Sequence, residues 1–175
     1  GKKFITSGGL GTMGFGFPAA LGAKIGCPDK PVVCITGDGG FQMNMQEMAM
    51  AITEKLPVVI CILNNYYLGM VRQMQQIFYG KRYEITYLGK DLDESGKCAV
   101  ADGAEPEYAP DFVKWAESYG AKGIRVRDVS EVRGALEEAA KATDAPVVIE
   151  FMVASEEIVL PMVKGGNPIS EMILK

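Results

Sequence analysis

Val32-Val33-Cys34-Ile35-Thr36-Gly37-Asp38-Gly39-Gly40 and Val58-Val59-Ile60-Cys61-Ile62-Leu63-Asn64-Asn65 decide the fold. Each opens on a short apolar run rich in β-branched residues and closes on turn-forming residues, the pattern of a fully buried strand. Residues 41–55 between them are long enough for a helix. Strand, helix and strand make a βαβ unit, whose two strands run parallel. Gly37-Asp38-Gly39-Gly40 and Asn64-Asn65 then fall at the same carboxyl edge of one sheet. A carboxylate and an amide oxygen meet there, beside a glycine turn and a helix N-terminus. Hard oxygen ligands suit Mg²⁺ and N-terminal amides suit phosphate, so the chemistry implied is a metal-bridged diphosphate. A bare Gly-Asp-Gly is an ordinary turn in which Asp38 caps the next helix. Capping, however, gives the distant Asn pair no work.

Outward from these runs, Phe4-Ile5-Thr6 predicts a short strand entering the turn Ser7–Gly14. A helix is expected over 17–25, with Pro18 at its start and Gly26 at its end. The strand at 32–36, the helix at 41–55, the strand at 58–63 and a helix at 68–79 follow. Residues 80–109 are rich in Gly and acids and read as a long surface loop, with an insertion or long loop expected at about 89–108. A helix over 110–119 stops at Gly120. A strand at 123–126, a helix capped by Ser130 and running to 141, and a strand at 147–153 complete the pattern. The tail 161–175 has too little pattern to place. The alternation predicts an α/β fold: a doubly wound, mostly parallel sheet with helices on both faces, in one domain over 1–175.

Of the 175 residues, 48% are hydrophobic and 23% charged, as expected of a globular domain, and the net charge is −4. No basic block exists, which argues against nucleic acid. No apolar run approaches the length of a membrane span, and the first residues do not resemble a leader. His is absent, which removes the usual zinc sites and every His-based triad. Cys27, Cys34, Cys61 and Cys98 form no CxxC pair. Cys34 and Cys61 sit within expected strands as small hydrophobes, and a reducing cytoplasm is the expected setting.

A rival motif is present. Gly9-Leu10-Gly11-Thr12-Met13-Gly14 fits GxGxxG, between an expected strand and helix, with Asp38 where a dinucleotide fold carries its ribose-binding acid. Against it, the first strand is short and polar, and Asp38 is flanked by glycines. Asn64-Asn65 also has no role in such a site.

Asp38 and Asn65 stand 27 positions apart, and the pair resembles the Gly-Asp-Gly…Asn-Asn signature of thiamine diphosphate enzymes. Three further blocks narrow the resemblance. Ser7-Gly8-Gly9-Leu10-Gly11-Thr12-Met13-Gly14-Phe15-Gly16-Phe17-Pro18-Ala19-Ala20 looks like the opening of the diphosphate-binding domain of the acetolactate synthase (acetohydroxyacid synthase) catalytic subunit. Leu63-Asn64-Asn65-Tyr66-Tyr67-Leu68-Gly69-Met70-Val71-Arg72-Gln73 continues it. Leu160-Pro161-Met162-Val163, Gly165-Gly166 and Ile169-Ser170-Glu171-Met172 resemble the family's C-terminal segment. The resemblance implies that Asp38, Asn65 and the backbone carbonyl of Tyr67 hold Mg²⁺. It implies that Gly37, Gly39 and Gly40 form the diphosphate turn, and that the backbone of Gly11 and Met13 meets the pyrimidine. Met13 would prop the cofactor in its bent form, with Met43 and Met70 lining the pocket and Val71 and Met74 facing the second substrate.

In that family pyruvate loses carbon dioxide and the remaining two-carbon unit joins a second 2-keto acid. The resemblance further implies a homodimer or tetramer of catalytic subunits, a possible regulatory small subunit, and FAD in a middle domain that these residues do not include. The activating glutamate would also lie in another domain, so no catalytic residue is expected here. Two features depart from the pattern: Met74 stands where the family often has Trp, and the stretch from about Gly89 to Tyr108 has no counterpart. Other readings are another thiamine diphosphate carboligase or decarboxylase, such as glyoxylate carboligase, and a non-catalytic nucleotide-binding module.

Overall fold

The structure, a computed structural model, describes residues 3–90 and 106–174. Four strands form one sheet in the order β1-β2-β4-β3: β1 (Val32–Gly37), β2 (Val58–Asn64), β3 (Lys122–Val126) and β4 (Val147–Met152). All three pairings are parallel. β2 and β4 are central, and Val58, Ile60, Ile62, Val148 and Ile149 are wholly buried. The register sets Gly37 beside Leu63. The two polar clusters therefore leave the sheet side by side.

Helices cover both faces. On one face, α1 (Gly16–Gly26), α2 (Asp38–Gln42), α3 (Met48–Thr53) and α5 (Phe112–Ser118) bury Phe17, Leu21, Phe41, Met48 and Phe112 against Cys34, Ile60 and Val148. On the other, α6 (Val132–Ala139) sets Ala135 and Ala139 against Cys61, Val126, Val147 and Ile149. α4 (Gly69–Phe78) lies beyond the carboxyl end of β2. Phe41 centres an aromatic cluster, with ring centroids 5.3 Å from Phe17, 5.8 Å from Phe112 and 5.1 Å from Trp115. The contacts to Phe112 and Trp115 are edge-on, the favoured geometry for aromatic quadrupoles. This cluster anchors the short helix that begins at Asp38.

Several expectations are corrected. Phe4-Ile5-Thr6 forms no strand. Phe4 and Ile5 are exposed, and three residues without a ladder partner cannot repay their ordering. GxGxxG therefore follows no strand, which removes the context the dinucleotide reading requires. β1 is covered on one face only: Cys34 is buried, while Val33 and Ile35 are exposed. Residues 41–55 are not one helix but α2, a 3₁₀ turn at Met45–Glu47 and α3. Asp38 is not the cap of α2 but its first residue, Gly37 being the cap position.

The cap before α6 is not Ser130 but Asp128, which forms a capping box with Glu131 and accepts the Ser130 N–H at 2.9 Å. Asp111 caps α5 by accepting the Lys114 N–H at 3.1 Å. Residues 91–105 of the expected insertion, and Cys98 within them, lie outside the described residues. Lys90 and Tyr108 form an antiparallel bridge at its base. The tail also takes shape: Met162 bridges Ile173, and a 3₁₀ turn spans Ile169–Glu171.

Phe41→Ala should lower the unfolding free energy by about 3–5 kcal/mol, the cost of emptying a packed aromatic site. Ile35→Thr, at a side chain 71% exposed, should change it by less than about 0.5 kcal/mol. Urea titration followed by Trp115 fluorescence measures both. Equal losses would contradict the one-sided burial of β1.

Candidate functional site

The carboxyl edge of β1 and β2 gathers three separate stretches. Asp38 follows β1 directly and is 3% exposed. Backbone N–H groups of Gly39 and Tyr66 approach its carboxyl group and favour the charged form. Burial outweighs them and, with Glu150 as a further negative neighbour, pushes the Asp38 carboxyl up to about 7. No cation from the described residues is among the groups acting on it.

The second stretch is the turn after β2. Asn64 Oδ1 accepts the Tyr66 N–H at 3.0 Å, and Asn65 Oδ1 accepts the Tyr67 N–H, also at 3.0 Å. Two overlapping Asx turns thus reverse the chain. Tyr66 takes φ +61°, a left-handed conformation rare for a bulky residue and a local strain. Asn65 also lies against the start of α4: a Cβ on Gly69 would stand 3.2 Å from Asn65 Nδ2. The Asn65 oxygen keeps a second lone pair. The sequence did not announce the segment that supports this turn. Leu68 N–H donates to Thr86 C=O at 2.7 Å and Leu88 N–H to Tyr66 C=O at 2.8 Å, pairing 66–68 with 86–88.

The third stretch is the glycine turn. Gly11 N–H donates to Ser7 C=O at 2.8 Å and Thr12 N–H to Ser7 Oγ at 2.9 Å. Gly11 and Gly14 have φ of +63° and +92°, which glycine alone adopts without strain. At Gly14 a Cβ would lie 2.6 Å from Met43 Cβ, so Gly14 also permits contact with the turn after α2. Asn44 Nδ2 donates to Gly14 C=O at 3.0 Å and ties the same two segments. Over Gly39, a Cβ would meet Leu68 Cδ2 at 2.7 Å, Leu88 Cδ1 at 3.2 Å and Met13 Cε at 3.2 Å.

Met13, Gly39, Leu68 and Leu88 are thus brought together, and so are Gly14, Met43 and Asn44. Leu68, Leu88 and Asn44 were missed in the sequence reading, and only tertiary contact reveals them. Gly40 packs on Thr36, whose Oγ1 would stand 3.1 Å from an added Cβ. Met13, Met43, Met70, Val71 and Met74 are about half-exposed. α2 is five residues long, so any phosphate attraction here comes from the amides of Gly37–Gly40 at its start and not from a long helix dipole.

Among the described residues no group of three His, Cys, Asp or Glu could hold a metal ion. A cation here must take one carboxylate with amide and carbonyl oxygens. That donor set suits a hard ion such as Mg²⁺ and not zinc. The uncompensated burial of Asp38 fits such an ion as well. Surface hollows do occur elsewhere, one lined by Lys122, Glu138 and Val147 and another by Gln75, Tyr79 and Arg82. The first lies at the opposite edge, where β3 and β4 begin.

Comparison with known sequences agrees with this geometry. The family described as "Thiamine pyrophosphate enzyme, C-terminal TPP binding domain" matches residues 1–151. The chain belongs to this family. It is 45% identical to the probable acetolactate synthase large subunit of Methanococcus aeolicus, over 98% of this chain and 25% of that protein. It is 43% identical to the acetolactate synthase large subunit of Haemophilus influenzae, over 99% of this chain and 27% of that protein. Among solved structures, the thiamine diphosphate-dependent 4-hydroxybenzoylformate decarboxylase of Rhodococcus jostii RHA1 superposes with a TM-score of 0.65 at 31% identity. That match covers 81% of this chain and 23% of the other. The chain is thus a TPP-binding domain homologous to acetolactate synthase large subunits, and it spans about a quarter of the length of these relatives. No helix among the described residues is long and apolar enough to cross a membrane.

The raised Asp38 value sets a sign. The ordinary carboxyl value is 3.8 and the folded one about 7. The stability linked to this group is therefore fully present below the lower value and is lost as pH rises through the upper. With metal chelated, the protein should lose stability from about pH 4 to 7, with a slope that approaches ~1.4 kcal/mol per unit between the two values and levels off above the upper. Asp38→Asn should flatten that slope. Melting curves in chelator test this, and identical slopes for wild type and Asp38→Asn would reject the assignment.

Proposed function

We propose that this chain is the diphosphate- and metal-binding part of an acetolactate synthase catalytic subunit. The observation that carries the reading is Asp38, buried with no cation from the described residues and approached by the Tyr66 N–H of the Asn64–Tyr67 turn. The names of the M. aeolicus and H. influenzae relatives support the same class. Thiamine diphosphate, when bound, supplies the carbon–carbon chemistry: pyruvate is decarboxylated and the two-carbon unit passes to a second 2-keto acid.

This chain's residues bind and orient. Asp38, ionised, and the oxygens of Asn65 and Tyr67 would hold Mg²⁺, whose charge would offset that of a diphosphate. The amides of Gly37–Gly40 would serve the phosphates. Gly11 and Met13 would offer backbone groups to the pyrimidine, and Met13, close to Gly39, would support the cofactor. Met43 and Met70 present apolar surface, and Val71 and Met74 border the acceptor. No residue of this chain moves the activating proton. That group, FAD, a dimeric or tetrameric assembly, a regulatory subunit and a cytoplasmic setting belong to the whole protein that this reading envisages. A second reading, a related decarboxylase, is favoured by the R. jostii likeness. Product analysis with pyruvate separates the two.

Calorimetric titration of the natural full-length protein tests the reading. Asp38→Ala should abolish Mg²⁺-dependent thiamine diphosphate binding, and Asn65→Ala should weaken it less, because a neutral amide contributes less to a hard cation. Unchanged affinity in Asp38→Ala would remove Asp38 from the site, and binding of NADH in place of thiamine diphosphate would restore the dinucleotide reading. Met74→Trp should shift the product ratio toward use of 2-ketobutyrate. One methylene in an apolar pocket is worth ~1–3 kcal/mol, which bounds the change. An unaltered ratio in a competition assay would show that Met74 does not meet the acceptor.

A further inference from the structure

A second carboxylate lies in the sheet itself, and so far it has entered only as a negative neighbour of Asp38. Glu150 of β4 is 1% exposed and pairs in register with Ile62 of β2 and Arg125 of β3. Both of its oxygens are engaged. Oε1 accepts from Asn64 Nδ2 at 2.7 Å and Oε2 from Arg125 Nε at 2.7 Å. Arg125 also donates through a terminal nitrogen to Asp111 Oδ1 at 2.7 Å, the carboxylate that caps α5. At the other end, Asn64 Oδ1 accepts the Tyr66 N–H at 3.0 Å. One continuous chain of polar contacts therefore joins Tyr66, Asn64, Glu150, Arg125 and Asp111.

Stability is a weak reason for this arrangement, since a buried ion pair often does no better than apolar residues of the same volume. Its effect on geometry is more specific. A carboxamide has a donor side and an acceptor side. Glu150 takes the donor side of Asn64, so the acceptor side must face Tyr66. Tyr66 is the left-handed residue of the turn, and Asn65 and Tyr67 flank it.

We propose that Glu150 is a positioning residue for the cation site. Acting through Asn64, it holds the strained 64–67 turn in the form that presents Asn65 and the Tyr67 carbonyl beside Asp38. The inference rests on the reading of Asp38 and Asn65 as Mg²⁺ ligands.

The test uses the natural full-length protein and two readouts: the Mg²⁺ concentration that half-saturates thiamine diphosphate binding, by calorimetry, and the melting temperature in chelator. Wild type is measured first. If it binds no thiamine diphosphate with Mg²⁺, the parent reading falls, independently of Glu150. Glu150→Ala should raise the Mg²⁺ requirement about tenfold or more, the usual cost of losing a group that orients a metal ligand. Glu150→Gln keeps an oxygen for Asn64 and should return the requirement close to wild type, although it lacks the charge pair with Arg125. Both variants should melt earlier in chelator. A merely structural role would move the Mg²⁺ requirement of the two alike or not at all, and either result overturns the proposal. If Glu150→Ala fails to fold, Asn64→Ala reads the same link from its other end. An unchanged Mg²⁺ requirement in Asn64→Ala would also overturn it.

Discussion

The burial of the Asp38 carboxylate is the constraint on which the rest of this edge depends. Among the described residues two carboxylates are buried, Asp38 at 3% and Glu150 at 1% exposure. Glu150 is matched by Arg125 at 2.7 Å, whereas Asp38 receives backbone N–H groups and no cation from those residues. Such a group favours its neutral form unless a cation arrives from outside. The fold nevertheless keeps it buried. β1 and β2 are in register at Gly37 and Leu63, and Phe41, three residues past Asp38, is locked among three aromatic rings. Core packing thus offsets the cost of a charge set where a cation can use it, an instance of strain at a site supported by the surrounding structure.

α4 carries its amphipathicity the wrong way round for a helix that only packs. Its apolar residues Met70, Val71 and Met74 are half-exposed, while Arg72 and Gln73 are buried. The buried polar face grips the C-terminal tail. Gln73 Nε2 donates to Val159 C=O at 2.9 Å, and Val159 N–H donates to Gln73 Oε1 at 2.6 Å, so the carboxamide pairs with the tail as a strand would. Arg72 pairs with Glu156, donates to Ser155 C=O at 3.0 Å and stacks between Tyr67 and Tyr83, 4.8 and 4.6 Å from their ring centres. Polar groups hold the helix down, which leaves these apolar side chains half-exposed.

The strands were legible because they are short, apolar and β-branched. Their parallel order followed from the helical spacing between 32–36 and 58–63, and helices on both faces followed from the alternation. What was not legible has physical causes. The single helix expected over 41–55 breaks because a chain leaving β1 beside Gly14 must turn again after Gln42, a tertiary demand invisible in periodicity. Ser130 and Asp128 are both competent caps, and Glu131, three residues after Asp128, decides between them through the capping box. Asp38 and Asn65 could be singled out as candidates because carboxylate and amide chemistry at two strand ends is itself a signal. Leu88, Asn44 and Glu150 could not, because their value lies in what stands opposite them. Glu150 reads in the sequence as one polar interruption of a strand, and only the register with Arg125 and the contact with Asn64 explain it.

The segment 64–68 shows how tightly this edge is determined. Each of five consecutive residues has a different partner. Asn64 reaches Glu150, Asn65 lies against Gly69, Tyr66 accepts the Leu88 N–H through its carbonyl, Tyr67 lies under Arg72 and Leu68 covers Gly39. A left-handed Tyr costs on the order of 1–3 kcal/mol and persists only where its neighbours over-determine it. Here the neighbours come from β4, α4, α2 and the 86–88 strip, four elements far apart in sequence. Relaxing Tyr66 would misplace its neighbours together. Any ligand that used the oxygens of Asn65 and Tyr67 would therefore meet them pre-positioned by the whole carboxyl edge and would spend little of its binding energy on ordering the loop.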